Sequence, residues 1–156
     1  MLIASQAAAK VNLVIDRTAH TIRLARGFDA PLAQIFEAWT QPEHVACWWD
    51  PAGEPLAVCD IDLRPGGSFK FVTRAHPEMP FVGKYLEIVP SHRLIFEAFG
   101  ATGRVLLEET GGKTHLAVEI ECRSADHLDQ FLKNGVDVGT SQTLDNLVAH
   151  IGATRQ

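Results

Sequence analysis

The chain has 156 residues, the size of one domain around a single hydrophobic core. Its 14 Lys and Arg against 19 Asp and Glu leave a net charge of −5 with neutral histidines, which excludes general binding to a phosphate backbone, so nucleic acid is not an expected partner. Apolar residues make up 46% of the chain, far from a disordered composition, and no apolar run approaches the roughly 20 residues that cross a bilayer, so a membrane is not expected either.

These sums predict one cytoplasmic domain over residues 1–156, with about 1–12 as a loosely held tail. Met1 to Lys10 has no basic stretch ahead of an apolar one, so it does not read as a secretory signal. The three cysteines, Cys47, Cys59 and Cys122, are odd in number and none forms a C-x-x-C pair, so reduced thiols are expected.

From about residue 13 to Phe28 the chain reads as strand, with Ile22 and Leu24 on one face and Thr21, Arg23 and Ala25 on the other. Asp29 can cap the helix that follows, and Pro31 suits a first helical turn. Leu32, Ile35, Phe36 and Trp39 then form one helical stripe. A second short helix is predicted from Thr40, which with Glu43 fits a capping box, and it runs into Cys47-Trp48-Trp49. Asp50-Pro51-Ala52-Gly53 ends it.

From 56 to 122 the period becomes two. Six strands are predicted: Ala57 to Leu63, Phe69 to Phe71, Phe81 to Val89, Arg93 to Phe99, Arg104 to Glu109, and Thr114 to Cys122. Pro65-Gly66-Gly67 and Thr110-Gly111-Gly112-Lys113 read as turns. The last strand is the cleanest. Thr114, Leu116, Val118, Ile120 and Cys122 face one way and His115, Ala117, Glu119 and Glu121 the other, as in an antiparallel sheet with one wet face. A single helix is predicted from Ser124, its N-cap, to Ile151, with Gly152 as its stop. At 1.5 Å per residue it would be roughly 40 Å long and cross the whole sheet. The fold class is therefore α+β: a curved antiparallel sheet wrapped around a long C-terminal helix, with two short helices after the first strand.

Six segments carry a resemblance. Arg26-Gly-Phe-Asp-Ala-Pro31, Phe36-Glu-Ala-Trp39, Trp48-Trp49-Asp-Pro51 and Asp62-Leu-Arg-Pro-Gly-Gly67 come first. Gly83-Lys-Tyr-Leu-Glu-Ile-Val-Pro90 with Arg93-Leu94, and Gly135-x-x-x-Gly139, complete them. In order and spacing they resemble the family named for homology to the activator of the heat-shock protein 90 ATPase, of the START-like or SRPBCC helix-grip superfamily. The likeness covers about residues 20 to 151. It implies a helix-grip fold and a cavity between sheet and C-terminal helix. One departure is that Thr140 stands where the family often has a tryptophan on the last helix, so the cavity or surface there differs. The superfamily hosts lipid carriers, cyclases, hydrolases and co-chaperone domains, so fold alone does not assign a function.

Three functions follow as expectations. The first is binding of a small, mostly hydrophobic molecule, lipid-like or aromatic, in a cavity lined by Trp39, Trp49, Phe69, Phe71, Tyr85, Phe96, Leu132, Val136, Gly135 and Gly139. Trp48 and Trp49 are adjacent, so one should face the interior and the other an opening. Gly135 and Gly139 each cost about 1 kcal/mol in a helix interior; close helix–sheet packing or room for a ligand would explain them. The second is a cyclase or hydrolase on the same cavity. Its candidate catalytic pair is Glu87 and Tyr85, which strict alternation along the strand puts on one face. The third is a co-chaperone or stress-response partner of a chaperone or other protein. Arg64 is expected to pair with a carboxylate near its turn or to anchor an anionic group. The seven histidines are scattered and His44-x-x-Cys47 is the one close ligand pair, so no metal and no cofactor is expected. A monomer or homodimer is expected.

Overall fold

The computed structural model describes residues 11–154. Eight strands form one antiparallel sheet: β1 (Asn12–Asp16), β2 (Thr21–Phe28), β3 (Val58–Ile61), β4 (Ser68–Val72), β5 (Phe81–Val89), β6 (Arg93–Ala98), β7 (Ala101–Thr110) and β8 (Lys113–Glu121). The strand order is β1-β2-β8-β7-β6-β5-β4-β3. The described helices are α1 (Leu32–Thr40), α2 (Pro42–Trp48), α3 (Ala125–Lys133) and α4 (Val136–Thr154). This is the α+β helix-grip arrangement.

One face of the sheet holds the core. Ile22 and Leu24 of β2, Val105 and Leu107 of β7, and Leu116 and Val118 of β8 are buried there. Leu144 and Leu147 of α4 are both 0% exposed against them, with Ile35, Val45 and Trp48 from the short helices. Apolar alternation on the strands and the stripe on α4 are thus two halves of one interface.

The expected strand over 13–28 is a hairpin. Asp16 Oδ1 accepts hydrogen bonds from the amides of Thr18 and Ala19, both at 3.0 Å, and His20 has φ 54. An Asp side chain that satisfies the backbone of its own turn reverses the chain there. Asn12 belongs to β1 and Val11 packs on the core, so neither is part of a loose tail; the rest of the expected tail, residues 1–10, lies outside the described residues.

Two capping expectations fail for identifiable reasons. Pro31, not Asp29, is the N-cap of α1, and the free Leu32 amide donates to Glu109 Oε1 at 2.9 Å, a carboxylate brought from β7. Thr40 is the last residue of α1, where its hydroxyl donates to the Phe36 carbonyl at 2.8 Å, so Gln41 caps α2 without a side-chain bond. Ser124 does cap α3, its Oγ accepting from the His127 amide at 3.1 Å.

The predicted single C-terminal helix is broken. Asn134 ends α3, and Gly135 has φ +75, a left-handed conformation that reverses the helical path before α4 begins. Past the break, α4 runs through Gly152 to Thr154, so that glycine is not the stop.

On the flank away from the sheet, His44 Nδ1 of α2 lies 2.8 Å from His150 Nε2 of α4, and His44 Nε2 lies 3.4 Å from Glu37 Oε1. Burial first, and the facing His44 second, hold the His150 imidazole below its ordinary pKa.

Two outcomes follow. Leu144→Ala, at a fully buried site, should lower stability by about 2–5 kcal/mol in a urea melt. His150 resists protonation when folded but not when unfolded. Stability should therefore fall once pH drops below about 6.5 and keep falling until the folded group protonates. Urea midpoints compared between neutral pH and about pH 5.5 should drop less in His150→Gln than in the wild type.

Candidate functional site

Between the sheet and α4 lies a cavity of about 390 Å³ that opens to solvent. Its floor begins with an aromatic cluster on β4 and β5. Phe69 and Phe71 stack with ring centroids 5.2 Å apart, and Phe69 meets Tyr85 at 5.1 Å and the edge of Phe96 at 5.6 Å. These rings lie where they do because two strand neighbours lack a side chain. Phe69 pairs with Gly83 and Phe96 with Gly103 across the sheet. A Cβ on Gly83 would sit 2.2 Å from Phe69 Cζ, and one on Gly103 would sit 2.3 Å from Phe96 Cζ. A strand glycine usually weakens a sheet, but here each missing Cβ makes the bed for a ring.

The opposite wall is helical. Trp39 and Trp48 meet edge to face at 4.7 Å, and Trp48 is 0% exposed with its indole N–H donating to the Ala38 carbonyl at 2.9 Å. Trp49 turns the other way, onto Phe71 at 5.2 Å and Phe81 at 4.9 Å. Adjacent helical positions are about 100° apart, so the two rings have different neighbours, and both reach the cavity surface. Val136, Gly139, Thr140 and Thr143 of α4 close the wall. Asn146 Nδ2 donates to the Asp50 carbonyl at 2.9 Å and ties the Asp50–Pro51 turn to α4 beside them.

The mouth is marked by lining residues that are also exposed, Asn134 at the helix break and Phe99, 61% exposed. His127 Nδ1 accepts from the Arg123 amide at 3.0 Å, which leaves the proton on Nε2, 3.0 Å from the Phe99 carbonyl. One imidazole thus holds the β6–β7 turn to α3 at the mouth.

The polar content is small. Among the described residues that line the cavity, none is Lys, Arg, His, Asp or Glu. The Thr140 and Thr143 hydroxyls donate back to the Val136 and Gly139 carbonyls, each at 2.7 Å. Trp39 Nε1 has no partner and is sealed from solvent. Burial, with a smaller contribution from nearby Cys59, pushes the Tyr85 phenol well above its ordinary pKa, so it is protonated at neutral pH. Burial, then Asp60, then Glu43, push the Cys59 thiol up to about 11, so it is no nucleophile. No three His, Cys, Asp or Glu converge on one point among the described residues.

Trp39, Trp49, Phe69, Phe71, Tyr85, Phe96, Gly135, Val136 and Gly139 all reach the cavity surface. Leu132 does not: it packs on the core beside α3. Glu87 is the larger correction. β5 bulges at Leu86, so Tyr85 opposes Phe96 while Glu87 already opposes Ile95. The extra residue inverts the alternation. Ile88 turns to the core and Glu87 goes to the outer face, where it accepts from Arg93 Nε. Tyr85 and Glu87 therefore do not form a pair. Arg64 is bound to Asp62 at 2.9 Å and is not an anion anchor in the cavity.

Sequence reasoning missed Phe81, Leu94, Val118, Phe99 and Phe131, all of which line the space. Phe81 shares the alternation of Gly83 and Tyr85 and was within reach of the pattern. Phe99 and Phe131 reach the cavity from the β6–β7 turn and from α3 near the helix break.

Gly135 and Gly139 differ. Gly135 supplies the left-handed φ, whereas a Cβ on Gly139 would meet only Pro51 Cγ at 3.6 Å, an ordinary contact. Close helix–sheet packing explains neither. Gly135→Ala should therefore cost about 1 kcal/mol through backbone strain, and Gly139→Ala should gain up to about 1 kcal/mol in helix propensity. Urea melts of the two variants should shift in opposite directions.

Residues 29–152 match the family described as activator of Hsp90 ATPase homolog 1-like protein. The match spans most of the chain, and the protein belongs to that family. The fold is shared with protein Ms6760 from Mycobacterium smegmatis, at 24% identity and a TM-score of 0.79 over 92% of this chain and 99% of that one. Protein NE0264 from Nitrosomonas europaea aligns with a TM-score of 0.79 at 23% identity, covering 86% of this chain and 96% of its own. A Rhodobacter sphaeroides protein aligns with a TM-score of 0.82 at 20% identity, over 92% and 99% of the two chains. At these identities the likeness is one of fold. Among curated proteins nothing matches. No helix among the described residues is long and apolar enough to cross a membrane.

Proposed function

We propose that this protein binds a small, mostly hydrophobic molecule in the space between the sheet and α4. The observation that carries this reading is the cavity itself: about 390 Å³, walled by aromatic rings and open at one end. Cavities of roughly 300–1,000 Å³ with apolar walls and few polar groups are the usual form of a small-molecule site. A Cβ on Gly139 would meet only Pro51 Cγ, at an ordinary 3.6 Å, so the helix leaves space at that position. An acid–base reaction lacks support because the carboxylate expected beside Tyr85 is on the outer face with Arg93.

Gly139→Leu tests the reading. The added side chain should project into the cavity, hold or raise the melting temperature, and weaken binding of N-phenyl-1-naphthylamine about tenfold or more through lost space. A destabilised variant that binds the probe as the wild type does would show that this space is not the binding site.

A further inference from the structure

The chemistry of the cavity walls narrows what can occupy them. A charged ligand would leave its hydration shell for walls that offer no counter-charge, since the described lining residues include no ionisable acid or base apart from the phenol of Tyr85. A pure hydrocarbon would leave one deep polar group unmet. Tyr85 is 3% exposed, lines the cavity, and its hydroxyl has no hydrogen-bond partner among the described residues. Buried tyrosine hydroxyls ordinarily have one. Among the other lining donors, the Asn134 amide belongs to an exposed residue at the mouth and the Trp49 indole to a half-buried one, so neither is a deep group. The Thr140 and Thr143 protons are already used within α4, and Trp39 Nε1 is covered by protein.

Position matters as much as chemistry. Phe81 meets the exposed Phe99 at 5.4 Å, at the mouth. Tyr85 is four residues further along β5, and the Phe69 ring lies between the two, 5.8 Å from Phe81 and 5.1 Å from Tyr85. An occupant that reaches the hydroxyl must lay its apolar body along the Phe69, Phe71, Phe81 and Trp49 rings on the way.

Resting on the reading of the cavity as a ligand site, we infer that its occupant is an uncharged, mostly apolar molecule with an oxygen acceptor at its leading end, and that this oxygen takes a hydrogen bond from the Tyr85 hydroxyl. The residue then sets specificity: it selects a carbonyl-bearing molecule over the hydrocarbon of the same shape, and the uncharged walls select it over the acid.

Three probes of one shape separate these claims by calorimetry at neutral pH: 2-acetonaphthone, 2-isopropenylnaphthalene and 2-naphthoate. Wild-type protein should bind the ketone about fivefold or more tighter than the alkene, and the carboxylate about tenfold or more weaker than the ketone. Tyr85→Phe, which removes only the hydroxyl, should bring ketone and alkene to equal affinity. Its retained binding of the alkene reports that the variant is folded. Equal binding of ketone and alkene by the wild type, or a ketone preference that survives in Tyr85→Phe, overturns the anchor and leaves the cavity reading standing. Preference for 2-naphthoate overturns the uncharged occupant. Failure of all three probes to bind overturns the ligand-site reading, and this inference with it.

Discussion

Phe69 and Phe96 lie against the sheet only because the residues paired with them, Gly83 and Gly103, have no Cβ. Most of the site follows from that allowance. A ring laid on a neighbouring strand covers backbone and leaves height above it. A ring forced upright by a Cβ would fill that height. Both pairs sit on adjoining strands, and the two rings meet edge to face at 5.6 Å, with Phe71, Phe81 and Tyr85 continuing the aromatic surface. The sheet thus presents an apolar surface to α4 without filling the space between them. Each glycine costs strand stability, and ring-to-ring contacts of about 0.5–1.5 kcal/mol each offset part of that cost.

The helical wall is held off the floor by a second constraint. α3 and α4 are separated at Asn134–Gly135, and the left-handed Gly135 lets each helix take its own path. Leu144 and Leu147 anchor the later part of α4 in the core, while Val136, Gly139 and Thr140 at its start face open space. The later part of α4 therefore serves stability and its start the cavity, and Leu144, which also lines the cavity, joins the two.

Much of this was legible in the amino-acid pattern. Alternation located the six strands of 56–122, and the Thr114–Cys122 run identified its own buried face. Helical geometry could give the adjacent tryptophans different neighbours, but not that both reach the cavity surface. Three features were not legible. The Asp16 turn splits the first strand through two side-chain hydrogen bonds that hydropathy does not register. The apolar stripe continues through Gly135, so periodicity saw one helix where a single left-handed residue makes two. The cap of α1 comes from Glu109, remote in sequence, so no local motif could announce it. Among cavity residues, those on strands were readable from period two. Phe99 and Phe131 were not, because their place at the cavity depends on a turn and a break.

The bulge at Leu86 decides what kind of chemistry the cavity can host. With strict alternation Glu87 would follow Tyr85 inward, and a carboxylate beside a buried phenol is the start of an acid–base site. Burial in apolar walls would raise its pKa, and a partner charge or a buried proton would be needed to keep it there. One extra residue on β5 instead delivers Glu87 to the outer face, where Arg93 meets it, and puts Ile88 in the core. The side chain of Leu86 itself is left largely to solvent, the local loss that accompanies the inversion. What remains inside is a phenol that burial keeps protonated, a donor without a base. Such a group can orient a neutral oxygen, and among the described lining residues no carboxylate or imidazole stands beside it to exchange a proton.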